Sequence, residues 1–294
     1  MAKTAAKTTP KPAAKAATAT AGGAAPKPVA KAAGMTAQKA TPAAKAKAAP
    51  KAATKATSEA APLSQAPAPA VEIVARTHGI EVPASPHLGP SMRSAIEAGR
   101  YEAREIRAGL ARIPEGARIL ELGAGAGVVG AVLARNLAPA AMLSIEANPN
   151  LIGSIRALHA HNGLERVITV RNAVVLSAPD APETVEFFLR GNFLGSSLTP
   201  LKIEKATPVT VPVLRYADLA AEFPHDAIMM DIEGGELDFL RHADLSAVKV
   251  VVGEFHREIY GRPGMQECRR LLRAQGFEMD EEQSRNGVWA WFRP

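Results

Sequence analysis

The sequence is poor in cysteine, in aromatic side chains and in long apolar runs. One cysteine, Cys268, in 294 residues excludes a disulfide framework and a cysteine-based zinc site. No apolar run approaches the roughly 20 residues that span a bilayer. The first 70 residues lack still more: they hold no Arg, no aromatic residue and a single acid, Glu59. That stretch has no apolar core of the signal-peptide kind, and its want of Arg argues against a mitochondrial presequence. The expectation is a soluble, cytoplasmic protein of a reducing compartment with no membrane contact.

What those 70 residues do contain is 29 Ala, 9 Pro and 11 Lys, for a net charge of +10. The whole chain carries +6, so the remaining 224 residues carry −4. The overall isoelectric point near 9.5 therefore describes neither part. Recurrent Pro interrupts helix, and with almost no large apolar side chain nothing offsets the entropy of ordering. Residues 1–70 are expected to be a disordered basic tail. Its lysines suit weak, salt-dependent contact with nucleic acid or another polyanion, without base stacking; a solubilising extension is the plainer reading. Residues 71–90 are expected to form a Pro-rich linker, with one folded domain over 91–294. Past residue 70 the basic residues change character, to 21 Arg against 3 Lys.

The folded part alternates helical and strand patterns. Residues 91–113 predict one helix or two short ones, 117–122 a strand, 128–137 a helix, 141–146 a strand and 149–161 a helix opening on Pro149. A third strand is expected at 167–175, less regular strands at 184–189 and 209–214, and apolar strands at 227–232 and 248–254. A helix at 265–275 and a closing hairpin from 277–281 and 288–292 complete the pattern. This predicts an α/β fold with a mostly parallel sheet, helices on both faces, and ligands at the carboxyl ends of the strands.

Glu121-Leu-Gly-Ala-Gly-Ala-Gly127 runs from a strand into a helix, which marks a cofactor loop. Two cofactors fit. Gly125, Gly127 and Gly130 match the dinucleotide spacing G-x-G-x-x-G, which allows an NAD(P)-dependent oxidoreductase. Glu121 with Gly123, Gly125 and Gly127 matches a loop for S-adenosylmethionine. Glu146, ending the second strand, suits a ribose diol in either case. The segment from Asp231 to Glu236 adds three carboxylates at a strand-to-helix turn; they suit a cationic sulfonium and would repel a pyrophosphate.

Five words in this order resemble the FkbM family of S-adenosylmethionine-dependent methyltransferases: the 121–127 loop, Ile145-Glu-Ala-Asn-Pro149, Arg171-Asn-Ala173, Asp231-Ile-Glu-Gly-Gly-Glu236 and Glu254-Phe-His256. Gly99-Arg-Tyr-Glu102 resembles the family's segment before the first strand. Two departures are Glu121 where Asp is common and Ala147 where Pro is more familiar. The resemblance spans about residues 99–293. It implies a class I methyltransferase (Rossmann-like) fold and O-methylation of a small hydroxylated metabolite or sugar. It further implies that Glu121, Gly123, Gly125 and Gly127 meet the methionine moiety, Glu146 the ribose, and Asn172 with Ala173 the adenine. Tyr101 and Glu102 would close over the cofactor.

Hydroxyl methylation profits from a general base. Asp231, His256 and Glu233 are the catalytic candidates, with His256 emerging from a buried strand at the sheet's carboxyl end. Glu236 is expected to charge the start of its helix. The same Asp, Glu and His are ligand types for a divalent cation, but spacing across separate strands sets no geometry, and no metal is expected. His159 and His161 fit a helix carboxyl terminus, Trp289 and Trp291 core and edge packing, and Cys268 a small buried position. Residues 191–197 fit a substrate loop or a surface turn. A non-enzymatic alternative keeps the methyltransferase-like domain as a platform for a nucleic-acid-binding tail.

Overall fold

The computed structural model describes residues 71–190, 196–198 and 206–294; the tail and most of the 191–197 loop lie outside the described residues. The described chain opens with strands β1 (Ile73–Thr77) and β2 (Ile80–Pro83), then helices α1 (Pro90–Glu97) and α2 (Ala103–Arg112). An alternating run follows: β3 (Arg118–Leu122), α3 (Val128–Leu137), β4 (Ala141–Glu146), α4 (Ile152–His161) and β5 (Ile168–Asn172). Three strands then leave the main sheet: β6 (Val174–Leu176), β7 (Thr184–Arg190) and β8 (Ala206–Arg215). The rest is α5 (Tyr216–Glu222), β9 (Ala227–Met230), α6 (Glu236–His242), β10 (Val250–Glu254), α7 (Arg257–Ala274), β11 (Glu278–Met279) and β12 (Val288–Phe292).

The main sheet has seven strands in the order β11-β12-β10-β9-β3-β4-β5. Pairings from β10 through β5 are parallel, and β12 runs antiparallel to both β10 and β11. This is the expected mostly parallel sheet closed by an antiparallel hairpin.

Strand periodicity sorts the apolar residues to two faces. Ile119, Ala227, Met229, Val250, Val252, Val288 and Ala290 join the core under α2, α3 and α4. Leu120, Leu122, Ile228, Met230, Val251, Trp289 and Trp291 join the core under α5, α6 and α7. Trp289 and Trp291 thus share one interior face, where Trp289 stacks on Phe255 with centroids 4.2 Å apart. Each fully buried Leu, Ile or Val contributes roughly 1.5–3 kcal/mol of transfer free energy, which fixes the register and the strand ends that carry the site.

Residues 71–90 are not a linker. β1 and β2 pair antiparallel, and Ala75, Ile80 and Val82 are buried in the α2–α4 core. Short length and frequent Pro hide this hairpin, in which Pro83 ends β2 opposite Ile73 and Pro86 lies beyond the ladder. The single strand expected at 167–175 is two: β5 ends at Asn172, and β6 pairs with β8 instead. The helix expected at 265–275 starts at Arg257 and kinks at Gly261, whose φ of 64° is non-helical, with Pro263 just beyond.

Candidate active site

The site is a cleft of about 440 Å3 at the carboxyl ends of β3, β4 and β9. Its floor is the turn after β3. Gly123 has φ of 86°, and a Cβ there would lie 1.7 Å from the Asp231 carbonyl oxygen. Only glycine lets the two strand-end loops touch backbone to backbone. Gly125 also lines the cleft. Gly127 does not; it turns the chain into α3, and its carbonyl lies 3.3 Å from His159 Nε2 under α4.

Glu146 ends β4 and is buried against this turn. The Gly125 N–H donates to its Oε2 and the Asn148 N–H to its Oε1, each at 2.7 Å. Burial, partly offset by those amides, raises its pKa to about 7. Each oxygen keeps a lone pair for a further donor. Glu121 lies beneath the turn, 2% exposed, with Oε2 buried and lacking a hydrogen-bond partner. Burial raises its pKa to about 7 as well. It packs against α3, where a Cβ on Gly130 would come within 2.5 Å of Oε2.

Tyr101 and Glu102, just before α2, line the cleft. Burial and the nearby Glu105 and Glu254 raise the Glu102 pKa to about 7. Ala173 lines it too, but Asn172 does not. The Asn172 amide donates to the Glu146 and Ala147 carbonyls at 2.8 and 2.9 Å, so it ties β5 to β4 rather than facing a ligand.

Beside the glycine turn, the turn after β9 meets the end of β10. His256 is 7% exposed, and Asp231 and Glu233 face it: its Nε2 lies 3.5 Å from Glu233 Oε2 and 3.8 Å from Asp231 Oδ1. Glu233 sits at φ of 50°, an uncommon conformation for a residue with a side chain. Glu236, wholly buried, does more than charge a helix. Its Oε1 accepts the Ile232 and Gly234 N–H groups and lies 3.1 Å from His256 Nδ1. Burial would lower the His256 pKa, but Glu236, Asp231 and Glu233 together raise it to about 10. The three acids thus favour the imidazolium over the free base that general-base catalysis requires. Burial and Glu233 hold the Asp231 carboxyl well above its ordinary range, partly offset by His256.

Sequence reasoning missed Glu105, Phe187, Asp238, Arg241 and His242, which also line the cleft, as does Ser196 from the 191–197 segment read as a substrate loop or a surface turn. Glu105 was within reach, being one helical step from Glu102. Phe187 and Ser196 come from the region of β7, which only tertiary structure brings over the cleft. His159 is buried beside the glycine loop, with its pKa lowered to about 4 by burial, so it is not a charged partner of the helix terminus. His161 instead lies 2.9 Å from Glu81 Oε2. Burial pushes the Cys268 thiol up to about 12, in keeping with a packing residue.

The sheet order and the glycine turn with its strand-end carboxylate define a Rossmann-like methyltransferase fold. Residues 122–279 match the model of the methyltransferase FkbM domain, and the chain belongs to that family. Family membership resolves the two cofactor readings of the glycine loop towards methyl transfer. No curated protein matches the chain. A solved protein of the NADB-Rossmann superfamily from Streptococcus agalactiae is 18% identical over 64% of this chain and 67% of its own, with a TM-score of 0.39. The precorrin-6y C5,15-methyltransferase from Geobacter metallireducens is 13% identical over 65% and 88%, with a TM-score of 0.39. A ribosomal protein L11 methylase from Lactobacillus delbrueckii subsp. bulgaricus is 12% identical over 66% and 80%, with a TM-score of 0.40.

Proposed function

We propose that the chain transfers a methyl group from S-adenosylmethionine to a hydroxyl oxygen of a small acceptor. The observation that carries the reading is one cleft lined both by the Gly123–Gly125 turn with Glu146 and by the adjoining Asp231 and Glu233. The residues fit the cofactor on their own chemistry. The turn presents bare backbone, Glu146 keeps acceptor capacity for a diol, and the buried Glu121 Oε2 lacks a donor. The cleft is lined by Glu102, Glu105, Glu121, Glu146, Asp231 and Glu233, a setting that favours a cation and disfavours a pyrophosphate. S-adenosylmethionine supplies an electrophilic methyl group on a sulfonium.

The chain's own part is to hold two reactants in line and to take a proton. Positioning accounts for much of the barrier reduction in such a displacement. Asp231 stands at the end of β9, and a carboxyl with a raised pKa is better matched to a hydroxyl proton than an ordinary one. Tyr101 and Glu102 cover the cleft from the segment before α2 and limit water.

The test is transfer of isotope-labelled methyl from the cofactor to a panel of hydroxylated acceptors, with products read by mass spectrometry and NMR. A new methoxy signal, reduced about 10²-fold or more in Asp231→Asn, is the expected result. Labelling only at nitrogen, carbon or protein would overturn the oxygen assignment.

A further inference from the structure

We propose that Asp231, Glu233 and His256 form a site for one divalent transition-metal cation of the Mn2+ type. One atom from each, drawn from the carboxylate oxygens and the ring nitrogens, lies within 4.8 Å of the others. The separations discriminate between a hydrogen-bond network and a coordination set. His256 Nε2 is 3.5 Å from Glu233 Oε2 and 3.8 Å from Asp231 Oδ1, at or beyond the limit of hydrogen bonding. Ligands bonded at about 2.1 Å to one cation stand roughly 3–3.5 Å apart. The two separations from His256 Nε2 need a contraction of only a few tenths of an ångström to reach that range.

Two further observations point the same way. Asp231 Oδ1 is a buried oxygen with no hydrogen-bond partner, and the nearest positive group, His256 Nε2 at 3.8 Å, stands too far away to supply one; a cation that displaces the Nε2 proton would bond both. His256 is also prepared as a ligand. Glu236 Oε1 already accepts two backbone N–H groups, so a carboxylate there takes the Nδ1 proton and leaves Nε2 facing the two acids. A carboxylate holding the far nitrogen of the ring is the usual outer partner of a metal-bound histidine. Two carboxylates with one imidazole suit Mn2+ and similar first-row ions better than a purely hard or purely soft cation. The second acidic group, Glu102, Glu105 and Glu254, has no histidine and no such holder.

The role of the cation rests on the methyl-transfer reading; its binding does not. Three protein ligands leave positions open for water or an acceptor oxygen. A cation there would hold the acceptor hydroxyl and acidify it, easing transfer of its proton to the second oxygen of Asp231.

The test titrates Mn2+ into the full chain and follows the loss of the free-ion electron paramagnetic resonance signal. Binding of one equivalent at micromolar concentration is expected. Asp231→Asn and Glu233→Gln should each weaken it by about tenfold or more, and Glu236→Gln by roughly 10–100-fold through the ring it holds. Glu105→Gln should leave it unchanged, and circular dichroism should show all variants folded. Absence of Mn2+ binding, or loss in Glu105→Gln with retention in Asp231→Asn, overturns the site. S-adenosylhomocysteine binding measured on the same samples separates the two ideas. Mn2+ binding without it supports the cation site while removing the methyl-transfer reading, and the converse overturns the cation site alone.

Discussion

At the residue scale, burial decides how the cleft's charges behave. Glu121 carries a carboxyl under α3, and burial lifts its pKa from the ordinary 4.5 to about 7. The folded state therefore holds that proton more tightly than the unfolded chain does. The stability this confers is complete below pH 4.5 and is lost as pH rises through about 7. For a residue so fully enclosed the loss is on the order of 3 kcal/mol. Glu121→Gln, which cannot ionise, should unfold at higher denaturant than the wild type at pH 8 and at the same denaturant at pH 4. A pH-independent difference between the two proteins would contradict this account. The same scale explains which site residues were legible. Glu121, Glu146, Asp231 and Glu233 stand at or beside strand ends, and the alternation of apolar and polar residues marks those ends. Asn172 has the right position by count, but its amide is taken by two β4-end carbonyls, a bond no sequence pattern displays. His256 has a reference pKa suited to catalysis, and three acids gathered from α6 and the turn before it move it away.

At the element scale, the apolar strands were the clearest signal and the irregular section the weakest. β9 and the first three residues of β10 read as continuous apolar runs, and β3 is apolar between Arg118 and Glu121, because both faces of these strands are covered. Leu120 in β3 is fully buried between β4 and β9. Leu120→Ala should cost about 2–5 kcal/mol in denaturant unfolding, a loss well above that of an exposed substitution. A loss under 1 kcal/mol would mean that this interior strand is less tightly packed than described. The β1–β2 hairpin escaped notice because its five- and four-residue strands are short and lie in a Pro-rich stretch, so that their apolar residues show a core face only in contact with the helices. β6 escaped because Val174 and Val175 continue the β5 pattern in sequence while the chain crosses to a different sheet. A strand that changes partner keeps its periodicity, so periodicity alone does not reveal the change.

At the scale of the whole molecule, charge separates two parts: +10 in residues 1–70 and −4 in the rest. Among the described residues no helix is long and apolar enough to cross a membrane. We propose that the lysines of the tail give the chain a weak affinity for polyanions. The full chain should then be retained on immobilised double-stranded DNA at about 50 mM salt and released by about 200 mM, and residues 71–294 should flow through. Equal retention of both would place the contact elsewhere.

The central claim is that the Gly123–Gly125 turn and Glu146 form the cofactor end of the cleft. Calorimetric titration of S-adenosylmethionine, S-adenosylhomocysteine and NADH into the full chain and into Glu146→Ala tests it most directly. The account predicts micromolar binding of the first two by the wild type, a loss of about tenfold or more in the variant, and no binding of NADH. Preference for NADH, or undiminished binding of S-adenosylhomocysteine by Glu146→Ala, would contradict it.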